Sequence, residues 1–248
     1  MTHVRLFAVV LMLAAAPSLA QKNESDAQGP MIVKQTIDAA GGLDVLSRVQ
    51  DFKGAGTITY YWTEEIQGPV VVKGKGRSFS RLDASLPGGL RSIILRDGKG
   101  YLKQPGDTKL ILDPLHVVIS PHLALVEALS SASNGVRYVR LVKHHGRLCH
   151  DIQVVDYRTG GIGTPVRLKV DYFVDPLTFL IAGMRESVPG TPPLARQWHE
   201  VDFDDYRRVD GALIPFSITE RVHEQRLSSI MLTEFVLNAN ITTDDFEP

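Results

Sequence analysis

From Phe52 to Leu237 the chain is a succession of short runs rich in Val, Ile, Thr, Tyr and Phe. Gly, Pro and Asp break these runs every roughly 8 to 12 residues, the spacing of an antiparallel sheet. The runs predict strands over 53–62, 69–76, 77–83, 91–96, 100–104, 136–144, 148–157, 166–174, 179–186, 196–206, 213–223 and 229–237. Several of the breaks carry hairpin chemistry: Asp97-Gly98, His145-Gly146-Arg147, Asp175-Pro176 and Asp210-Gly211. The expectation is a meander of hairpins with about eleven or twelve strands.

Two stretches change period. Over 31–40, Ile32, Val33, Ile37 and Ala40 recur at helical spacing, and Gly41-Gly42 is a natural stop. Leu43, Leu46 and Val49 extend this by a short second turn. In mid-chain, Ser120 is a suitable N-cap and Pro121 suits the first helical position, with Leu123, Leu125, Val126 and Leu129 following over 122–132. An apolar helix inside an antiparallel sheet protein must cover one face of the sheet. The fold class is therefore α+β: a curved antiparallel sheet with helices on its concave side. No internal repeat or linker divides the chain, so 31–248 reads as one domain.

The first twenty residues stand apart. Arg5 gives a basic start, Leu6 to Ala16 is an unbroken apolar run of eleven residues, and Ser18 and Ala20 offer small side chains before Gln21. This is the pattern of a cleaved secretory signal peptide over 1–20. The run is too short to span a bilayer, and no later stretch of about 18 apolar residues replaces it. Residues 21–30 are polar, without large apolar side chains, and read as a disordered leader. Loss of Arg5 leaves 26 basic against 28 acidic residues, a balance that gives no reason to expect a nucleic-acid partner. Cys149 is the single cysteine, so the exported chain holds no internal disulfide and the thiol is expected to be buried.

Taken in order, AAGGLDVLSRVQDFKGAGTI (39–58), RDGKGYL (96–102), VDPLTFLIAGMRE (174–186), YRRVDGALIPFSI (206–218) and NANITTDDFEP (238–248) resemble the periplasmic LolA-like superfamily. That superfamily includes outer-membrane lipoprotein carriers and many other exported proteins. The resemblance implies an incomplete antiparallel barrel, a half-barrel, whose open side is covered by helices around an apolar cavity for acyl chains or other hydrophobic ligands. It also implies a periplasmic location, or secretion where there is no outer membrane. The chain is longer than most lipoprotein carriers, and the arginine that such carriers use to hold their lid has no evident counterpart. A divergent relative is therefore the reading, not the carrier itself.

The strands give a reason of their own to expect a cavity. Ile58, Tyr60 and Trp62 alternate with Thr57, Thr59 and Tyr61, and Val170 and Tyr172 share a face with Leu168 and Val174 against Lys169 and Asp171. Further positions expected to line it are Ile94, Met184, Phe216 and Phe235 on strands and Leu125 and Leu129 on the mid-chain helix. A fully packed core would produce the same stripes. The leading expectation is a non-enzymatic binding protein for a hydrophobic small molecule, lipid or lipoprotein, without a cofactor. An envelope protein partner is the first alternative.

The second alternative is a metal-dependent hydrolase built on histidine pairs. A turn at Gly146-Arg147 would set His144 across from Cys149. A hairpin about Asp210-Gly211 would bring His199 within about one residue of His223. Neither pair has a third ligand, and His223-Glu224 lacks the second histidine of a metalloprotease motif, so no catalytic or metal residue is assigned. Asp202, Asp204 and Asp205 read as a solvated acidic edge. The chain contains no nucleophile elbow or P-loop, and Gly160-Gly161-Ile162-Gly163 leads into a strand, as a loop does.

Overall fold

Thirteen strands form a single antiparallel sheet in a computed structural model that describes residues 19–61, 63–76, 78–111, 118–130, 135–159, 165–188 and 197–248. The strands are β1 (Asp51–Tyr61), β2 (Glu65–Lys75), β3 (Phe79–Leu86), β4 (Gly89–Arg96), β5 (Lys99–Gln104), β6 (Asp107–Ile111), β7 (Val136–His144), β8 (Arg147–Thr159), β9 (Pro165–Val174), β10 (Ile181–Val188), β11 (Gln197–Val209), β12 (Ala212–Val222) and β13 (Gln225–Leu237). Three helices accompany them: α1 (Leu19–Ala39), α2 (Leu43–Leu46) and α3 (Pro121–Leu129).

The sheet order is β6-β5-β4-β3-β2-β1-β13-β12-β11-β10-β9-β8-β7. Two meanders, β1–β6 and β7–β13, are thus joined where the first strand pairs with the last. The sheet stays open, with β6 and β7 at its edges. The chain must pass from one edge to the other between these two strands, and α3 lies in that connection. This explains why a helix sits over the mouth of the curve. The half-barrel read from the sequence is the observed architecture, with one strand more than expected. That strand, β6, is short and exposed along most of its length, so it shows none of the alternation that marks the others.

The concave face carries the main core. Ile58, Val72, Leu82, Tyr172, Phe203 and Ile214 from the strands pack with Ile32, Val33, Ile37 and Ala40 of α1, Leu46 of α2, and Leu123, Leu125 and Ala128 of α3. Helix α1 stops at the Gly41-Gly42 pair, and its end is tied to the sheet by the Leu213 N–H donating to Ala40 O at 2.8 Å. Its start differs from expectation, because residues 21–30 are helical and not a disordered leader. At Gly29 the helix meets β7 so closely that a Cβ would lie 2.8 Å from Tyr138 N. Most of the leader read over 1–20, Trp62, the Gly160–Gly163 loop and most of the loop at 188–193 lie outside the described residues.

The convex face is covered in two places. The C-terminal segment, with its 3-10 turn Thr243–Phe246, straps β2–β4 by burying Ile241 and Phe246 against Ile94, Phe79 and Tyr101. Lys73 pairs with Asp245 at 2.6 Å, Arg81 donates to Asp245 O and Glu247 O, and Arg96 pairs with Glu247. At the other end of the sheet the tip of the β7–β8 hairpin folds back over Phe173 and Ala182, enclosing Cys149. The buried Cys149 thiol is pushed up to about 11 by desolvation.

Candidate ligand pocket

Strand alternation and cross-strand register bring one set of side chains to a gap between the sheet and the segment that leads into α3. Ile58 on β1, Ile230 on β13 and Ile218 on β12 stand side by side, since Ile58 pairs with Ile230 and Ile218 with the same residue. Leu82 and Ile93, opposite one another on β3 and β4, form the second wall with Tyr60, and Val201 and Val118 close the gap. The cavity measures about 20 Å³. That is room for one water molecule.

One side of the gap is polar. Glu220 and Ser228 face each other across β12 and β13, and Ser228 Oγ donates to Glu220 Oε2 at 2.8 Å. His199 Nε2 lies 2.9 Å from Glu220 Oε1, and because an ionised carboxylate only accepts, the imidazole donates. The Arg91 guanidinium sits over the Tyr60 ring, 5.7 Å from its centroid. Burial alone would push the Glu220 carboxyl up, but the His199 and Ser228 hydrogen bonds and the charges of His199 and Arg91 outweigh it and hold it below its usual range. Burial raises the Tyr60 phenol, against the pull of Arg91. The site therefore has an apolar floor and a charged pole of both signs, a geometry suited to a chain with a polar head.

Helix α3 carries buried polar atoms at its start. His122 is fully buried at its first turn, edge-on to the Tyr206 ring at 5.4 Å. Neither His122 ring nitrogen, nor Ser120 Oγ at the N-cap, has a hydrogen-bond partner among the described residues. Desolvation pushes the His122 imidazole down to about 3. An unsatisfied buried polar group costs about 1–3 kcal/mol, so this helix gives up stability that a leucine at 122 would not.

The comparisons with known proteins bear on this arrangement at the level of fold. The chain superposes on a LolA superfamily protein from Nitrosomonas europaea with a TM-score of 0.55 at 12% identity, over 87% of this chain and 97% of that one. A proposed outer membrane lipoprotein-sorting protein domain from Vibrio parahaemolyticus gives 0.53 at 10%, over 90% and 97%. A DUF1329 family protein from Desulfovibrio piger gives 0.53 at 12%, over 88% and 97%. The fold is shared with the LolA superfamily. No protein-family model matches the sequence, and no curated protein matches it either.

The structure sorts the positions expected to line the cavity. Ile58 and Tyr60 stand at the gap described above. Leu125, Val170, Tyr172, Met184, Phe216 and Phe235 are buried in the concave core, and Leu129 packs against it. Ile94 is on the opposite face, under the C-terminal strap, because the hairpin register sets Ile93 across from the inward Leu82 and Ile94 across from the outward Arg81. Arg91, Glu220, Ser228 and His199 were not among the expected site residues. Their signal was present as polar residues in step with inward apolar neighbours, Glu220 two after Ile218 and Ser228 two before Ile230.

Of the two histidine pairs read from the sequence, His144 with Cys149 dissolves. The turn is His145-Gly146, with φ of 44° and 87°, one residue earlier than expected. His144 then pairs with Arg147, and Cys149 with Val142. His199 pairs with Val222, one residue from His223 as expected, and His223 itself lies in the β12–β13 turn with φ of 49°. The acidic edge is corrected too, because β11 lies between β10 and β12. Asp202 there accepts from His144 at 2.6 Å and from Arg221 at 2.8 Å.

Proposed function

We propose that the protein is an exported, non-enzymatic binding protein that shields a hydrophobic ligand, such as a lipid, an acylated peptide or lipoprotein acyl chains. The ligand's apolar part would lie on Ile58, Leu82, Ile218 and Ile230, with its polar end at Arg91 and Glu220. The observation that carries this reading is the apolar gap with a charged pole, set between a rigid hydrogen-bonded sheet and a helix held by side-chain packing. Ligand pockets for small molecules run to about 300–1,000 Å³. The gap is far smaller, so binding requires the Val118–α3 segment to swing outward. The unpaired His122 and Ser120 lower the cost of that movement. Each methylene then buried contributes about 0.8 kcal/mol. Among the described residues no helix is long and apolar enough to cross a membrane.

Native mass spectrometry of the mature protein from its export compartment, followed by titration of delipidated protein with a fluorescent long-chain fatty acid, tests the proposal. The expected results are an adduct of lipid size and saturable probe binding. Val118→Trp, whose ring overfills the gap from a partly exposed position, should weaken the probe at least tenfold, and the smaller Val118→Leu should weaken it less at unchanged thermal midpoint. A bare mass with no probe binding would overturn the reading and turn attention to an envelope protein partner.

A further inference from the structure

In the sheet order β9 and β10 separate the β7–β8 hairpin from β11, yet its tip touches β11 directly. His144 Nε2 is 2.6 Å from Asp202 Oδ1, His145 Nε2 is 3.0 Å from Glu200 Oε2, and Arg147 pairs with Asp204 at 2.7 Å. The tip crosses the convex face over β9 and β10. It lands where two details of the sequence receive it. His144 stacks on Phe173 with centroids 4.0 Å apart and planes at 13°. Beside it, a Cβ on Gly183 would lie 2.4 Å from His144 Nε2, so only glycine leaves room for the imidazole.

We propose that His144, His145 and Glu200, with Asp202 as a fourth donor, form a binding site for one zinc ion on the convex face. A ligand atom from each of the first three lies within 4.8 Å of the others. Zinc takes imidazole nitrogen and carboxylate oxygen at about 2.0–2.2 Å, which places tetrahedral donors about 3.3 Å apart. The histidine–carboxylate separations of 2.6 and 3.0 Å need open only slightly to admit the ion. The supporting contacts are also in place. Arg185 holds Glu200 Oε1 at 2.5 Å and Arg221 holds Asp202 Oδ2 at 2.8 Å, fixing each carboxylate so that its other oxygen faces the imidazoles. These guanidinium groups offset the carboxylate charge, so the site is weaker than a cage of ligands alone.

The protons balance simply. Each Nε2 now donates its hydrogen to a carboxylate, and ligation replaces that N–H by N–Zn, the proton moving to Nδ1 or to solvent. His144 and Glu200 are buried, whereas the His145 side chain keeps 35% of its exposure, which leaves one side open to water or to an incoming ion. Bound zinc would pin the hairpin tip to a strand 55 residues away in sequence and stabilise the folded chain by mass action. Nothing in this site depends on the concave pocket.

The test uses untagged mature protein, stripped with chelator and titrated with zinc chloride by calorimetry. The expected result is saturable uptake of one zinc per chain and a thermal midpoint that rises with zinc. His145→Ala, at a half-exposed position, and the isosteric Glu200→Gln should each weaken binding at least tenfold. Arg147→Ala, on the same tip but not a donor, should keep it. Cobalt added to the wild-type protein should give the intense visible bands of a tetrahedral ion, a readout that needs no variant. Absence of saturable uptake, or uptake indifferent to both His145→Ala and Glu200→Gln, would show an ion-pair network only and overturn the proposal.

Discussion

The two faces of β11 are held by opposite kinds of force. Val201 and Phe203 point inward and are buried among helix and strand side chains, whereas Glu200 and Asp202 point outward into histidines and arginines. The inner contacts are non-directional and scale with apolar area. The outer ones depend on hydrogen-bond geometry and on the charge state of each partner. A face sealed by area responds to pH only where a titratable group, here His122 or the His199–Glu220 pair, is buried in it. A face sealed by charge responds to protons and ions, and here it spans a connection that local sequence does not specify. The convex face also contrasts with itself, since the C-terminal strap combines both forces: Ile241 and Phe246 bury area while Lys73 and Arg81 fix its position.

The largest effect is expected on the inner face. Phe203 is 1% exposed at the centre of the concave core, and Phe203→Ala should cost about 3–5 kcal/mol in urea denaturation. A loss below about 1 kcal/mol would mean that the concave face is not the main stabilising layer.

The inner face was the more legible of the two. Period-two alternation picks out Ile58 with Tyr60 and Val170 with Tyr172 because Thr57, Thr59, Lys169 and Asp171 separate them. Ile93-Ile94-Leu95 has no such contrast, so its facing is fixed only by pairing with β3 across the Pro87-Gly88 turn, and the expected side for Ile94 is the wrong one. The outer site was hidden for a different reason. Its parts were visible singly, as the His144-His145 pair and the Glu200/Asp202 alternation. Their meeting depends on a hairpin tip folding over two strands, β9 and β10, set by a type I′ turn placed one residue from the expected position. In an X-Gly turn the glycine takes the second central position, which favours His145-Gly146 over Gly146-Arg147.

A smaller effect probes the defect in the inner face. His122 is held neutral down to about 3, whereas an unfolded chain protonates its histidines near 6.5. Between those values the unfolded state binds the extra proton, so the stability due to neutral His122 is present above about pH 6.5 and is lost as pH falls. The wild-type protein should lose about 2 kcal/mol from this group between pH 7 and pH 5. His122→Leu should remove that part of the slope and raise the thermal midpoint at pH 7. Identical slopes for the two proteins would mean that the imidazole is not buried as described. Such a variant should also bind the fatty-acid probe less readily, because a better-seated α3 opens at greater cost.

The smallest effect lies on the outer face and has the opposite sign. Asp151, 5% exposed and across from Phe173, has its carboxyl pushed up to about 6 by burial and by the nearby Asp171, against the pull of Arg140, Arg185 and Arg137. Its Oδ1 has no hydrogen-bond partner among the described residues, and Arg140 stands 3.9 Å from Oδ2. Here the folded state binds the proton more tightly than the unfolded one, so stability falls as pH rises from about 4 to about 6 and stays lowered above that. Asp151→Asn keeps the shape without the charge. It should stabilise the protein by about 1 kcal/mol at pH 7.5, after allowance for solvent screening, and by nothing at pH 4. Chemical denaturation at the two pH values reads the difference directly. A gain that persists at pH 4 would assign the effect to packing instead of charge, and the outer face would then resemble the inner one more closely than its ion pairs suggest.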